Sequence, residues 1–209
     1  MSVNVYSNHE CVKLFLNDKQ ITPPDGDVRV HNKDDSCVVT DRKSRFTATF
    51  TLPFAAGDLT AKSYVGGVEQ GNVSFTTAKK ASGLRLVADR ATIGASRADL
   101  SYVVAEVVDS DGVLVACADE HKGSSCTPPV VSFTVTGAGE LAAVGSGDPI
   151  DPSSFSGPGR KTYRGRATAI VRPGMLGGDA PVAGEIQVMA KADGLGEATI
   201  TIATKAPAK

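Results

Sequence analysis

Residues 83–115, GLRLVADRATIGASRADLSYVVAEVVDSDGVLV, decide the fold of this chain. Successive side chains of a β-strand point to opposite faces of the sheet. Between positions 100 and 108 one face would carry Val103, Ala105 and Val107, and the other face would carry Tyr102, Val104, Glu106 and Val108. Turn residues follow at positions 109–112. The stretch therefore predicts two β-strands of a sandwich, and it contains no catalytic motif.

A second stretch, RFTATFTLPF at positions 45–54, repeats the same period of two over ten residues. The apolar face of the predicted strand comprises Phe46, Ala48, Phe50, Leu52 and Phe54. We expect this whole face to be buried, since a shift of register by one residue would expose all of its side chains. The pairing of this strand is therefore strongly specified.

Further alternating runs predict strands separated by turn residues, and no useful length shows helical periodicity. The predicted strands lie at positions 3–7, 12–17, 59–64, 71–77, 130–137, 140–144, 161–172, 185–190 and 198–202. Residues 22–44 are interpreted as a long edge insertion with short strands at best. The polar connector AKKAS at positions 78–82 marks a boundary. We predict an all-β chain with two tandem immunoglobulin-like β-sandwich domains, residues 1–79 and 80–209.

The charge of the chain disfavours nucleic acid as a partner. Its 22 basic residues are balanced by 23 acidic ones, and the formal net charge is −1. The short basic clusters at 42–45 and 160–166 are interpreted as solvated strand ends. No apolar run reaches the 18 or more residues of a membrane span, so no membrane association is predicted. Residues 1–20 resemble strands rather than a signal peptide, so we expect the chain to begin inside a larger protein. The compartment cannot be read from them.

Two pairs of segments resemble a known family. SYVVAEVVDSDG at 101–112 and GELAAVGSGDPIDPSSFSGPGRKTYRGRATAIVR at 139–172 are similar to the last immunoglobulin-like domain of β-galactosidase-type enzymes of glycoside hydrolase family 2. VNVYSNHECVKLFLND at 3–18 and FTLPFAAGDLTAKSYVGGVEQGNVSFTTA at 50–78 resemble the small sandwich that follows the catalytic barrel of many such enzymes. The domains also come in the right order.

The resemblance implies a noncatalytic accessory C-terminal region that supports the catalytic barrel of a β-galactosidase-like hydrolase or its oligomerisation. Family members are retaining glycosidases, whose two catalytic carboxyl groups lie about 5 to 5.5 Å apart. Those groups belong to the barrel, which would be the upstream partner. None of the seven glutamates here matches a catalytic motif: Glu10, Glu69, Glu106, Glu120, Glu140, Glu185 and Glu197. We therefore predict no catalytic residue, no cofactor and no activity for the chain alone.

Two other functions stay open, because a sandwich fold does not fix a function. The first is a free-standing adhesive or structural immunoglobulin-like module, which could form a homo-oligomer. The second is a carbohydrate-binding module. Sugar platforms usually rest on exposed Trp or Tyr rings. The chain has no Trp, and core packing is expected for most of its four Tyr and seven Phe.

Four cysteines invite a disulfide or a metal site. A disulfide between Cys117 and Cys126 is favoured, and one between Cys11 and Cys37 is a second possibility. Zinc held by Cys117, His121 and Cys126 is disfavoured, because no paired Cys-x-x-Cys element is nearby. Free thiols of an intracellular protein remain an alternative.

The remaining polar motifs have ordinary structural explanations. Calcium could bind Asp34 with Asp35, Asp109 with Asp111, or Asp148 with Asp151, but each pair sits among turn residues. His9, His31 and His121 lack a neighbouring nucleophile, and the glycines of GAGELAAVGSGDP follow no strand-to-helix pattern. No metal is predicted. Asn72 begins an Asn-Val-Ser acceptor for glycosylation, which matters only in a secretory pathway.

Overall fold

The computed structural model describes residues 1–22, 30–32, 35–40, 42–117, 126–175 and 181–206. These residues are organised as β-strands in several sheets, and the chain divides into two compact units, Met1–Thr77 and Ala78–Lys209. The predicted all-β fold of tandem immunoglobulin-like sandwiches is confirmed.

The first unit contains eight strands among its described residues. They are β1 (Ser2–Tyr6), β2 (Cys11–Leu16), β3 (Lys19–Gln20), β4 (Val30–Asn32), β5 (Asp35–Val39), β6 (Thr47–Thr51), β7 (Asp58–Val65) and β8 (Val68–Thr76). One sheet has the order β4-β5-β2-β7-β8, with β3 paired to β2, and the other consists of β1 and β6 alone. The two sheets therefore differ greatly in width.

The core of the first unit is formed by alternating apolar residues of its strands. Its buried members are Val12, Leu14, Val38, Ala48, Phe50, Leu52 and Ala61. The prediction that the whole apolar face of 45–54 is buried is wrong at both ends, since Phe46 is 42% exposed and Phe54 is 71% exposed. Arg45 and Phe46 have left-handed φ values of 52° and 57°, so the chain turns before β6 begins. Strand β6 ends at Thr51, two residues before a proline.

The segment that we interpreted as an edge insertion takes part in the sheet. Strand β5 pairs with β2 and also with β4, so it lies inside the sheet rather than at its edge. Cys37 and Val38 are buried. The pairing of this strand could not be predicted from the sequence, because five residues offer little periodicity and many turn residues surround them. Residues 23–29, 33, 34 and 41 of the predicted insertion lie outside the described residues.

The second unit contains nine strands among its described residues. They are β9 (Gly83–Ala88), β10 (Thr92–Gly94), β11 (Ser101–Val108), β12 (Val130–Gly137), β13 (Gly139–Gly145), β14 (Gly159–Lys161), β15 (Arg166–Pro173), β16 (Gly184–Ala192) and β17 (Gly196–Lys205). They form one sheet with the order β10-β17-β16-β12-β14 and another with the order β13-β15-β11-β9. The pairing of β10 with β17 is parallel, and the other strand pairs are antiparallel.

The core of this unit confirms the inward face predicted for β11. Val103, Ala105 and Val107 of β11 are buried, whereas Tyr102 is exposed. On the facing sheet, Ile186, Val188, Ala190 and Ile202 are fully buried.

One strand boundary in this unit was predicted wrongly. The run 161–172 is divided into β14 and β15 by a turn, where Arg164 has a φ of 50° and Gly165 a φ of 79°. This left-handed backbone cannot continue a strand.

Candidate functional site

Glu106 and Glu140, two glutamates of the second unit, are held in ion clusters on the outer side of one sheet. Glu106 of β11 accepts hydrogen bonds from Arg85 at 2.6 Å and from Arg166 at 2.9 Å. The strand register places these three residues in one row across β9, β11 and β15. This arrangement fixes the carboxylate of Glu106 between two cations.

Glu140 of β13 sits in a second cluster of the same kind. It accepts hydrogen bonds from Arg97 at 2.8 Å and from Arg172 at 2.7 Å. Arg172 and Arg166 lie six residues apart on β15, which corresponds to about 20 Å at the rise of a β-strand. Glu106 and Glu140 are opposite these two arginines, so they lie far outside the 5 to 5.5 Å separation of a retaining carboxyl pair.

The pKa values of these carboxyl groups are shifted in the direction opposite to that of a general acid. Burial raises the pKa of Glu106, but the hydrogen bonds from Arg85 and Arg166 outweigh it and lower the pKa below 4.5. Hydrogen bonds from Arg97 and Arg172 likewise lower the pKa of Glu140. A glycosidase acid needs a raised pKa, so both groups are suited to structural ion pairs rather than proton transfer.

The other glutamates are dispersed. Glu69 binds Lys62 at 3.1 Å and Asn72 at 3.0 Å, and Glu10 accepts the backbone N–H of Gly66 at 2.8 Å. Glu185 and Glu197 lie on β16 and β17, respectively. Glu120 is outside the described residues.

Arg160 is a buried residue that sequence reasoning missed. Its side chain is 3% exposed, although the cluster 160–166 was interpreted as a solvated strand end, and that interpretation is wrong here. The guanidinium lies 3.3 Å from Asp151, donates to the carbonyl oxygens of Ser153 and Ser154, and stacks 4.9 Å from the Phe155 ring. Arg160 therefore organises the loop before β14. Only its position opposite buried Val131 on β12 could have indicated burial.

Asp109, Asp148 and Asp151 act as turn residues, as predicted. Asp109 accepts the backbone N–H groups of Lys79, Asp111 and Val113, and these hydrogen bonds lower its pKa. Asp148 and Asp151 accept the backbone N–H groups two residues ahead. Asp35 starts β5, and Asp34 lies outside the described residues.

The structure joins the cysteines in two disulfides, Cys11–Cys37 and Cys117–Cys126. Their Cα atoms lie 5.6 Å and 5.7 Å apart, within the usual range for disulfides. His121, the third member of the disfavoured zinc set, lies outside the described residues. Among the residues that the structure describes, no three His, Cys, Asp or Glu side chains are grouped to hold a metal ion.

Asn72 and several aromatic rings are exposed. Asn72 lies within β8, so its acceptor motif belongs to a strand rather than a loop. The expectation that most aromatic side chains pack in cores is wrong, because only Phe50 and Phe133 are buried. Rings that are more than 40% exposed are Tyr6, Phe46, Phe54, Phe75, Tyr102 and Phe155.

An apolar groove lies between β1 and β8 of the first unit. We call it the β1–β8 groove, and its lining residues include Val3, Val5, Tyr6, Ala61, Val73 and Phe75. Val73 is 50% exposed and Phe75 is 69% exposed. An adjoining cleft of about 290 Å³ extends it toward His9, whose Nδ1 lies 2.9 Å from the Ser63 hydroxyl.

No helix in the described part of the chain is both long and apolar enough to cross a membrane.

Comparison with known proteins assigns both units. Residues 84–201 match the family described as glycoside hydrolase family 2 C-terminal domain 5. The chain belongs to glycoside hydrolase family 2. Residues 1–71 match a domain of unknown function, DUF4982. The resemblance that the sequence motifs carried is thereby confirmed.

Relatives in this family are much longer than the chain. A glycosyl hydrolase family 2 member from Bacteroides cellulosilyticus is 34% identical with a TM-score of 0.78, over 98% of this chain and 23% of that one. A β-galactosidase from Bacteroides ovatus is 30% identical over 129 residues, which are 62% of this chain and 13% of the relative. A β-glycosidase from Bacteroides vulgatus shares the fold, with a TM-score of 0.77 at 16% identity, over 97% of this chain and 22% of that one. The chain thus corresponds to a C-terminal region of family 2 proteins and spans a small part of their length.

Proposed function

We propose that this chain is a noncatalytic accessory region of a β-galactosidase-like family 2 hydrolase, and that it supports the catalytic barrel or its oligomerisation. The observation that carries the proposal is the unequal coverage of its relative from Bacteroides cellulosilyticus. Nearly the whole chain, 98%, aligns with only 23% of that protein. The parent activity would belong to the remainder, as a retaining glycosidase with its own pair of glutamates.

The ion clusters support a structural role for the second unit. Glu106 and Glu140 are each neutralised by two arginines, and both pKa values are lowered. The arginines stabilise the ionised form of each carboxyl group, so neither group has a proton to donate at neutral pH. These residues consolidate one sheet instead of forming a reaction centre.

The surface of the first unit supports a covering partner. Its exposed large apolar side chains are Met1, Tyr6, Phe46, Phe54, Val65, Val68, Val73 and Phe75. Tyr6, Val73 and Phe75 among them line one groove, and a contiguous exposed apolar surface is typical of a site that another protein region covers. We assign that role to the catalytic domain, because the family relatives carry most of their length outside the matched region.

The test compares the full-length protein with a version that lacks the 209 residues. We expect the coding sequence before Met1 to encode a barrel with two catalytic glutamates. Deletion should lower the thermal midpoint or the oligomeric state, while a residual folded enzyme keeps both glutamates and some turnover of a chromogenic β-galactoside. The control is a full-length variant in which Glu197, an exposed residue of β17, is replaced by Gln. Further sandwich repeats in place of a barrel would contradict the proposal and favour an adhesive module.

A further inference from the structure

Within the described residues of the first unit, the core-facing side of the wider sheet is only partly covered. In the wider sheet, Val73 and Phe75 of β8 lie opposite Ala61 and Leu59 of β7. Ala61 belongs to the core and Leu59 packs against it, so Val73 and Phe75 project from the core-facing side of the sheet. They nevertheless remain 50% and 69% exposed, because the two-stranded sheet does not reach over β8.

The narrow sheet ends in an unpaired edge beside this surface. The backbone N–H of Leu52 donates to Met1, and that of Ser7 donates to Phe46, so the odd-numbered residues of β1 bond to β6. In an antiparallel ladder the alternate residues point their backbone groups away from the partner strand. Those residues are Ser2, Asn4 and Tyr6. Among the described residues, no strand pairs with this edge of β1.

The free edge and the uncovered surface meet in the β1–β8 groove. Its lining combines Val3, Asn4, Val5 and Tyr6 of β1 with Val73 and Phe75 of β8. A strand added to β1 would lie about 4.8 Å from it, and facing sheets pack about 10 Å apart. One further strand would therefore sit directly over Val73 and Phe75.

We propose that the segment preceding Met1 in the longer family 2 protein forms an additional β-strand that pairs antiparallel with β1 and fills this groove. The proposal rests on the proposed function, which supplies the longer polypeptide. Met1 is already in the ladder, since its amino group lies 2.6 Å from the carbonyl oxygen of Leu52. A segment entering at this point can reach the free edge through a short hairpin turn.

The geometry also defines the chemistry of this strand. Its backbone would bond to Ser2, Asn4 and Tyr6, which removes an edge that otherwise invites unwanted pairing. Alternate side chains must be apolar, because they would cover Val73 and Phe75. The others would face away from the core and can be polar.

Hydrogen exchange compares the 209-residue chain with the full-length protein encoded by the open reading frame. In the isolated chain we expect rapid exchange at the amides of Asn4 and Tyr6. In the full-length protein we expect exchange at both amides to slow by at least tenfold. Val3 and Val5 are internal controls, since they bond to β6 and should be protected in both proteins.

Two variants of β8 provide a second, independent readout. Phe75→Asp should leave the urea midpoint of the isolated chain unchanged, because Phe75 is exposed there, but should lower the midpoint of the first unit in the full-length protein. Ser74→Asp is the matched control. Ser74 pairs with Thr60 at 2.8 Å between the hydroxyl groups on the other side of the strand, so its effect should be equal in both proteins.

The results separate the two proposals. Unprotected amides together with an upstream catalytic domain would overturn the strand and leave the proposed function standing. Protection of these amides by an upstream segment, in a protein that has no catalytic domain, would support the strand and overturn the proposed function. An open reading frame that starts at Met1 would overturn both proposals. Protection that rises with concentration in the isolated chain would overturn the strand and indicate pairing between two copies.

Discussion

Glu106 shows how a single carboxylate serves the fold rather than catalysis. It lies on β11, between Arg85 of β9 and Arg166 of β15. Replacing Glu106 with Ala should lower the free energy of unfolding by about 1–2 kcal/mol, because the hydrogen bonds are charged but the arginines are half-exposed. Urea denaturation at pH 7 measures this loss. Glu197→Gln, on exposed β17 surface, should change the stability by less than about 0.5 kcal/mol.

The pH dependence of stability follows from the same residue. The folded pKa of Glu106 lies below its ordinary value of 4.5. Its contribution to stability is therefore complete above pH 4.5 and is lost as the pH falls through the lower folded value. Denaturation midpoints between pH 7 and pH 3 should fall less steeply for Glu106→Gln than for the wild type. Equal slopes would show that the ion cluster contributes nothing to acid sensitivity.

Arg160 should be far more sensitive to substitution than its surface-like sequence context indicates. Arg160→Ala leaves Asp151 without its buried partner and frees the carbonyl oxygens of Ser153 and Ser154. We expect a loss of about 2–4 kcal/mol, since removing one partner of a buried ion pair leaves the other charge buried and uncompensated. Thermal unfolding is the measurement, with Lys161→Ala as the exposed neighbour for comparison. Similar stability for the two variants would contradict the assigned role.

Residue types alone could not identify these roles. Arg160 lies among other basic residues, and only its pairing partner on β12 shows that it points inward. Phe54 was expected in the core because it continues the apolar face of 45–54, but β6 ends at Thr51. The exposure of Phe75 depends on how far the opposing sheet extends, which is a tertiary property.

Strand periodicity was most reliable where both faces are constrained. The predicted strand at 130–137 coincides with β12, and the inward face predicted for β11 is buried at Val103, Ala105 and Val107. On the opposite face the alternation holds at Tyr102 but fails at Glu106 and Val108, which are also buried. The predictions failed where the backbone turns, at Phe46 and at Gly165. A left-handed φ leaves no mark in an apolar pattern, and in the second case the glycine was the only available signal.

Gly165 is the element-scale test of that turn. A Cβ at this position would overlap the carbonyl oxygen of Val115, and the φ of 79° is unfavourable for other residues. Gly165→Ala should cost more than about 2 kcal/mol. Gly194 has a similar φ of 74° but open space around it, so Gly194→Ala should cost only about 1 kcal/mol. Equal losses in chemical denaturation would show that the contact with Val115 is unimportant.

The cysteine pairs link elements of the first unit and close a loop of the second. Cys11–Cys37 connects β2 to β5 across 26 residues, and Cys117–Cys126 spans 9. We predict no alkylation before reduction and four alkylated thiols after it, by mass spectrometry. Reduction should destabilise the first unit by roughly 3 kcal/mol in the chain-entropy account of disulfides. Four thiols that alkylate without reduction would support the alternative of free cysteines.

At the scale of the whole molecule, ordered motifs carried more information than any single residue. The succession of VNVYSN, SYVVAEVVDSDG and GDPIDPSSF predicted the family, which the match over residues 84–201 confirms. Sequence could not reveal the unequal sheets of the first unit or its exposed groove. Both depend on how many strands pair in each sheet of the described residues, and strand pairing leaves no pattern in the sequence.

The central claim is that catalysis in the parent protein lies outside these residues. It is tested most directly by incubating the purified 209-residue chain with a chromogenic β-galactoside, beside an equal amount of the full-length protein. We predict release of chromophore by the full-length protein and none above buffer by the chain. Hydrolysis by the chain that a single substitution, such as Glu140→Gln, abolishes would contradict the account.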